Sequence, residues 1–395
     1  MKTTGHFSPG RIEVLGKHTD YAGGDVLVCA VDRGVTAVVE EAASGIHATS
    51  TALPDEVDLT PGTAVELPGG HWGRYLQSVV QRLTANFGPL APCRIEVDST
   101  LPLASGMSSS SAVVVATAMA LARHNGFDQS RAWQQDITDD VRLAGYLACV
   151  ENGKTFGALA GHGGVGTLGG SEDHTAMLCS EPGKLGRFSF NPPSLVQRVA
   201  LPDDLRLVVA VSGVAAEKTG AAQQAYNRAS LNASAVLERW NAAGHAHPNL
   251  AAGVAAGGAE QVAGLVADDP ELSARLDQFV TESTVVIPAA VEALEAGDLE
   301  AFGRAVALSQ SLAARGLANQ VPQTEALVEL ALRQGALAAS SFGAGFGGSV
   351  WALLPAGDAE AFAEDWLDVY RRAWPQEGAR ASTLVTRPCG PAHAC

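Results

Sequence analysis

The chain has 395 residues, of which 47% are hydrophobic and 17% charged, and its formal net charge is −16. That length allows two domains, and that composition can fill a packed core, which excludes a disordered chain. So acidic a surface repels phosphate backbones and anionic lipid, so neither nucleic acid nor a membrane is an expected partner, while a small nucleotide is compatible with a site that carries its own donors.

The first ten residues contain no apolar core of signal-peptide length, and no run approaches the roughly 18 apolar residues of a membrane helix. The expected compartment is the cytoplasm, and the expected state a monomer. From Gly10 to Gly24 the chain sets Arg11, Glu13, Lys17, His18, Asp20 and Tyr21 among glycines. Such a mixture of donors and acceptors suits a sugar, and equally an exposed turn. Val35–Glu40 and Cys93–Asp98 read as short strands.

After the second strand comes Leu101-Pro102-Leu-Ala-Ser105-Gly106-Met107-Ser108-Ser109-Ser110-Ser111, followed by a helical run from Ser111 to His124. A strand, a small-residue loop and a helix start together present free backbone N–H groups to a phosphate. A serine N-cap is the ordinary alternative, but four serines exceed what one cap uses. No Gly-Lys-Ser/Thr follows, so this is not a Walker-type loop. Leu205–Val211 and Ser349–Leu354 read as buried strands. Leu272–Ala296, Leu299–Arg315 and Thr324–Gln334 read as helices. Pro288 is expected to kink or split the first of these; Asp298 should cap the second and Gly316 close it. A second glycine loop, Phe342-Gly343-Ala344-Gly345-Phe346-Gly347-Gly348, lies between helix and strand; it is either a tight connection or a backbone approach to a ligand.

Strands and helices mix without strict alternation, which favours α+β layers. The stretch around Pro202 marks the expected boundary between units 1–200 and 201–395. Of the six cysteines, only Cys389 and Cys395, with His393, suggest a metal; the spacing is not a standard zinc pattern, and a frayed terminus is the simpler reading.

These three segments, in this order, resemble the three motifs of the GHMP kinase superfamily, and the first is similar to the galactokinase motif Gly-Arg-x-Asn-x-x-Gly-Glu-His-Thr-Asp-Tyr-x-x-Gly. Trp72-Gly-Arg-Tyr75 and Tyr226-Asn227-Arg228 are weaker matches. The resemblance implies a two-domain α+β fold with the active site in the interdomain cleft, and an ATP- and Mg²⁺-dependent transfer of phosphate to the C1 hydroxyl of a sugar, galactose in the first instance. It places Asp173 and Arg11 at catalytic positions, and Lys17, His18, Asp20 and Tyr226 at sugar positions. Pro102, Ser105, Gly106, Ser108, Ser109, Ser110, Gly343, Gly345 and Gly347 fall on ATP positions, and Ser110 and Glu151 on magnesium positions.

Two departures stand out. Lys17 replaces the usual Glu, and Glu13 the usual Asn. A lysine cannot accept a hydrogen bond from a C6 hydroxyl, which raises galacturonate as an alternative substrate; Glu13 could instead pair with Lys17 so that galactose still fits. Glu151 and Asp173 also stand further apart than the family pattern has them. The Gly/Ala-rich stretch 157–164 between them is expected to form a longer loop over the cleft, and Glu172 is a rival for either carboxylate role. A catalytically silent sugar sensor, or a kinase of mevalonate or homoserine, are the competing readings; the presence of Arg11, Ser110 and Asp173 argues against the first, and His18-Thr19-Asp20-Tyr21 against the second.

Overall fold

The computed structural model describes residues 2–60, 63, 65–102, 105–215 and 223–395, with only the backbone of 223–226. Its first sheet contains β1 (Thr3–Leu15), β2 (Asp25–Glu41), β3 (Ile46–Ser50), β4 (Val57–Leu59), β5 (Cys93–Ser99), β6 (Lys184–Phe190) and β7 (Pro193–Ala200). The second contains β8 (Leu205–Val211), β9 (Ala338–Phe342), β10 (Ser349–Pro355) and β11 (Ser382–Thr386). The last strand, β12 (His393–Ala394), returns to the first sheet and pairs with β1. The tail that suggested a metal or a frayed end is therefore edge strand. Among the described residues no group of three or more His, Cys, Asp or Glu is placed to hold a metal by itself.

In chain order the helices are α1 (Gly73–Phe87), α2 (Ser109–Asn125), α3 (Arg131–Asp136), α4 (Asp140–Asn152), α5 (Glu172–Cys179), α6 (Gln223–Ala242), α7 (Leu250–Gly257), α8 (Ala259–Gly264), α9 (Pro270–Thr281), α10 (Ile287–Ala296), α11 (Leu299–Gly316), α12 (Pro322–Arg333), α13 (Ala359–Ala373) and α14 (Pro375–Gly378). Among the described residues none is long and apolar enough to cross a membrane. Asp298 caps α11 by accepting from the Ala301 N–H at 2.8 Å. Gly316 is the last residue of that helix rather than its stop, and Leu317 follows as the C-cap. Pro288 does divide the long apolar run: a π turn, Glu282–Val286, separates α9 from α10, with the proline in the first turn of α10, where its missing N–H costs nothing.

The second sheet explains why its strands read as continuous apolar runs. Leu205, Leu207 and Val209 of β8 face one core, with Trp351 and Leu353 of β10; Val208, Ala210, Val350, Ala352 and Leu354 face another, against α12 and α13. A strand covered on both faces has no polar side to alternate with. The first of these cores is continuous with the one beneath the first sheet, where Ile12, Val14, Val26 and Val28 pack with α2 and α10.

Candidate active site

Arg11 and Glu13 share one face of β1, and the strand is irregular there. Its register against β2 shifts between Pro9 and Arg11 and again between Glu13 and Leu15. Bulges bend a strand and re-aim its side chains. Arg11 and Glu13 line a cleft, while Ile12 and Val14 enter the core. The cleft encloses about 510 Å³ of empty space, open mouth included, and its other walls include His18, Asp20, Tyr21, Ser111, Glu151, Glu172, Asp173 and Gly343.

Arg11 is the hub. Its Nη2 stands 2.5 Å from Asp173 Oδ1 and its Nε 3.8 Å from Glu172 Oε1, and its Nη1 donates to the Gly106 carbonyl at 2.7 Å. Burial works against its charge, but Asp173, Glu172 and Glu13 outweigh burial and raise its pKa. Asp173 also accepts from the Ser111 hydroxyl at 3.4 Å. Glu172 and Asp173 open α5, where the positive end of the helix dipole favours carboxylates. Asp20 braces that helix start, its Oδ2 accepting from the Glu172 N–H at 3.0 Å.

His18 has φ of 59°, a left-handed conformation that a residue with a Cβ adopts only when its surroundings enforce it. Its Nε2 reaches the Ala344 carbonyl at 3.0 Å, and since a carbonyl only accepts, Nε2 carries the proton there. Nδ1 then accepts from the Tyr21 hydroxyl at 3.0 Å. From behind, Arg275 of α9, fully buried, donates to the His18 carbonyl at 2.5 Å and to the Tyr21 hydroxyl at 3.4 Å. Gln278 donates to the Lys17 carbonyl at 3.1 Å, and Glu282 accepts from the Gly16 N–H at 2.8 Å. Sequence reading missed this cradle. Its only trace was polar residues at one-turn spacing inside an otherwise apolar helical run.

Lys17 requires a correction. It does not line the cleft: it is 1% exposed, and its ammonium donates to Ser340 Oγ at 2.8 Å and Ser309 Oγ at 3.3 Å. Ser309 in turn donates to Glu282 at 2.7 Å. The positive group that suggested a sugar carboxylate is thus turned towards α11 and β9. Glu13, which could have been its partner only, faces the cleft instead.

The serine loop meets the second glycine loop. Ser349 donates to the Ser105 carbonyl, and a Cβ on Gly343 would stand 2.9 Å from the Gly106 carbonyl oxygen. Ser108 has φ of 56° and directly precedes α2. The hydroxyls of Ser105 and Ser108 are buried without a hydrogen-bond partner, at a helix start with unpaired N–H groups. Of the serine run, Ser111 is the one that lines the cleft; Ser109 and Ser110 are half-buried on the first turn of α2. Gly345 packs on Asn319, and Gly347 on Val214. Pro102 lies at the start of the loop, and the Tyr226 side chain lies outside the described residues.

Glu151, 7% exposed on the cleft wall, stands 3.1 Å from His174 Nε2. The stretch 157–164 does not cover the cleft. It folds back on the ends of α3 and α4 and on α1: Ala158 donates to Asp136, Asn86 donates to the Ala160 carbonyl, and Gly161 and Gly164 pack on Gly153. The cleft wall is formed by Thr167, Gly169 and Gly170 just beyond it.

The fold and motifs match known protein families in three places. Residues 74–159 match the GHMP kinases N terminal domain, residues 290–372 the GHMP kinases C terminal, and residues 3–41 the galactokinase galactose-binding signature. The chain is thus a kinase of the GHMP class, a phosphotransferase with an alcohol group as acceptor. It is 27% identical to a galactokinase of Thermococcus kodakarensis over 93% of this chain and 94% of that one. It is also 27% identical to a galactokinase of Chloroflexus aurantiacus over 92% and 87%. The fold is that of Lactococcus lactis galactokinase complexed with galactose, with a TM-score of 0.79 at 21% identity over 99% of this chain and 95% of the other. Within that class, the signature at residues 3–41 and the relatives over nearly the whole chain are those of galactokinases.

Proposed function

We propose that the chain transfers the γ-phosphate of ATP to the anomeric C1 hydroxyl of galactose, giving galactose 1-phosphate and ADP. The observation that carries this reading is the buried Arg11–Asp173 pair, set at 2.5 Å in a cleft flanked by the His18 turn and the serine loop. Phosphoryl transfer is chiefly positioning and charge neutralisation. Asp173 accepts the C1 hydroxyl proton, or stabilises the transition state electrostatically, with Arg11 fixing its carboxylate. His18 and Asp20 contact the sugar from the turn above. The phosphates lie at the start of α2, where the Ser105 and Ser108 hydroxyls lack partners.

Magnesium fits the donors present, which are hard oxygens. Glu151 and the Ser110 hydroxyl would hold it beside the phosphates, whose charge it neutralises. Glu151 is preferred to Glu172 because Glu172 already faces Arg11 and Glu13. With a charge of −16 the chain is taken to act as a cytoplasmic monomer on small molecules.

The test is ADP release with ATP and Mg²⁺ against galactose, galacturonate, glucuronate, arabinose and N-acetylgalactosamine, with Asp173→Ala alongside. Galactose should be turned over best, and Asp173→Ala should lower kcat by about 10²–10⁴. Release no faster than the variant's with every sugar would leave the silent sensor as the better account.

A further inference from the structure

Behind the His18 turn a cation is buried among neutral groups. Arg275 of α9 is 0% exposed, and the acceptors its guanidinium meets carry no charge. They are the Ala229 carbonyl of α6 at 3.1 Å, Gln278 Oε1 at 2.5 Å, the His18 carbonyl at 2.5 Å and the Tyr21 hydroxyl at 3.4 Å. Burying a charge in this way is unfavourable, and an apolar side chain would pack α9 against its neighbours at less cost. An apolar side chain cannot, however, hold a carbonyl and a hydroxyl of one turn at fixed angles, as the planar fork of a guanidinium does.

Those two bonds converge on His18. Its backbone keeps φ of 59°, and Arg275 fixes its carbonyl. A guanidinium only donates, so at Tyr21 it occupies a lone pair of the phenol oxygen and leaves the phenol proton for His18 Nδ1, 3.0 Å away. Burial raises the pKa of that phenol, so it keeps its proton. At the far side of the ring the Ala344 carbonyl takes the Nε2 proton, and Asn319 Nδ2 steadies the same carbonyl at 3.3 Å. The bonds thus run one way, from Arg275 through Tyr21 and His18 to Ala344. His18, Tyr21 and Ala344 line the cleft, and Arg275 lies behind it.

We propose that Arg275, acting with the Tyr21 hydroxyl, is a positioning residue for the sugar: it works through His18, fixing the strained backbone and the direction of the imidazole. The inference rests on the galactokinase reading and deepens it. A sugar that binds at this turn meets a ring already set in place, so the cost of ordering it is not drawn from binding. Loosening the ring weakens the hold on the sugar and leaves phosphate transfer at Asp173 in place.

The experiment compares wild type, Tyr21→Phe and Arg275→Lys, each alone and combined with His18→Asn, with folding checked by circular dichroism. Tyr21→Phe removes only the hydroxyl, and Arg275→Lys keeps the charge but loses the fork. Asparagine tolerates the left-handed backbone of position 18. Each of the first two variants should raise KM for galactose about fivefold, the size of one ordinary hydrogen bond, while kcat and KM for ATP stay within about twofold. Combined with His18→Asn, neither should change KM further by more than about twofold, because the residue they act through is gone. Nitrogen-15 NMR of the imidazoles, with His18 assigned by its loss in His18→Asn, should show the Nε2–H form in wild type and a shifted Nδ1 resonance in both variants.

An unchanged KM in either variant, an equal rise in the presence of His18→Asn, or an unmoved Nδ1 resonance would overturn the proposal. If no sugar is phosphorylated, calorimetric binding of galactose replaces KM. Weaker binding in both variants, and no further weakening with His18→Asn, then upholds the positioning role although the kinase reading fails. Galactose that does not bind to wild type overturns both.

Discussion

Glu13 and Lys17 depart together from the galactokinase pattern, and the structure separates their consequences. Lys17 lies in a buried polar cluster with Ser309, Ser340 and Glu282. Lys17→Met would leave both serine hydroxyls without their donor. It should cost about 1–3 kcal/mol of stability in urea unfolding. KM for galactose should stay within about twofold of wild type, since the amine never faces the cleft; a tenfold change would return Lys17 to the sugar site. Glu13 sets a pH dependence of stability. Its carboxyl ordinarily titrates near 4.5 and is raised to about 7 by burial. The native state thus keeps a proton that the unfolded chain has released, so this stabilisation is complete below the lower value and lost as pH rises through the upper one. Melting temperature should fall between those values in wild type, and the fall should be smaller in Glu13→Gln; equal slopes would contradict it. The sequence carried the identity of these residues but not their direction. Whether a lysine beside glycines points at a ligand depends on serines some 300 positions away in the chain. By contrast, Arg11 and Asp173 were placed by motif position, and they do meet.

The elements that build the cleft were legible where their cause is local. The serine loop and α2 follow from small residues and an apolar run, and the π turn between α9 and α10 follows from Pro288. The bulges of β1 left no comparable mark, because a polar strand re-aimed at a cleft looks like a turn. The fold-back of 157–164 was also hidden, since glycine and alanine say nothing about which surface they cover. What the elements share is close backbone contact between the serine loop and the second glycine loop. Gly343 has φ of 76°, and a Cβ there would stand 2.9 Å from the Gly106 carbonyl and 3.4 Å from Arg11 Nη2. Gly343→Ala should therefore push the two loops apart and shift the guanidinium that holds Asp173. Displacements of this size commonly cost about tenfold to a hundredfold in rate. The expected outcome is a loss of that size in kcat/KM for galactose, with the far-ultraviolet spectrum unchanged. Wild-type activity would mean that the loops need not touch.

At the scale of the molecule, we propose the division into units 1–200 and 201–395 as a statement about topology rather than independence. β7 ends the first unit's share of the first sheet at Ala200, and β8 begins the second sheet at Leu205. Yet the units are tied in three ways. One apolar core contains Ile12 and Val26 from one side and Leu207 and Trp351 from the other. Lys17 bonds across to Ser340 of β9, and β12 returns from the C-terminus to pair with the strand that carries Arg11. Splitting the chain near Pro202 would expose apolar surface worth about 25 cal/mol for each square ångström, and it would take Gly343 and Ala344 out of the cleft wall. Cores that interlock in this way unfold as one. The tryptophans report on both sides, with Trp72 and Trp133 in the first unit and Trp351 and Trp366 in the second. Urea unfolding followed by tryptophan fluorescence and by circular dichroism should therefore give a single coincident transition. Two resolved transitions, or a soluble cooperative fragment of residues 1–200, would show instead that the cleft forms between two bodies that fold separately. The place of Gly343 and Ala344 in the cleft wall would then be set by closure, whereas a shared core holds them beside Arg11 before any ligand arrives.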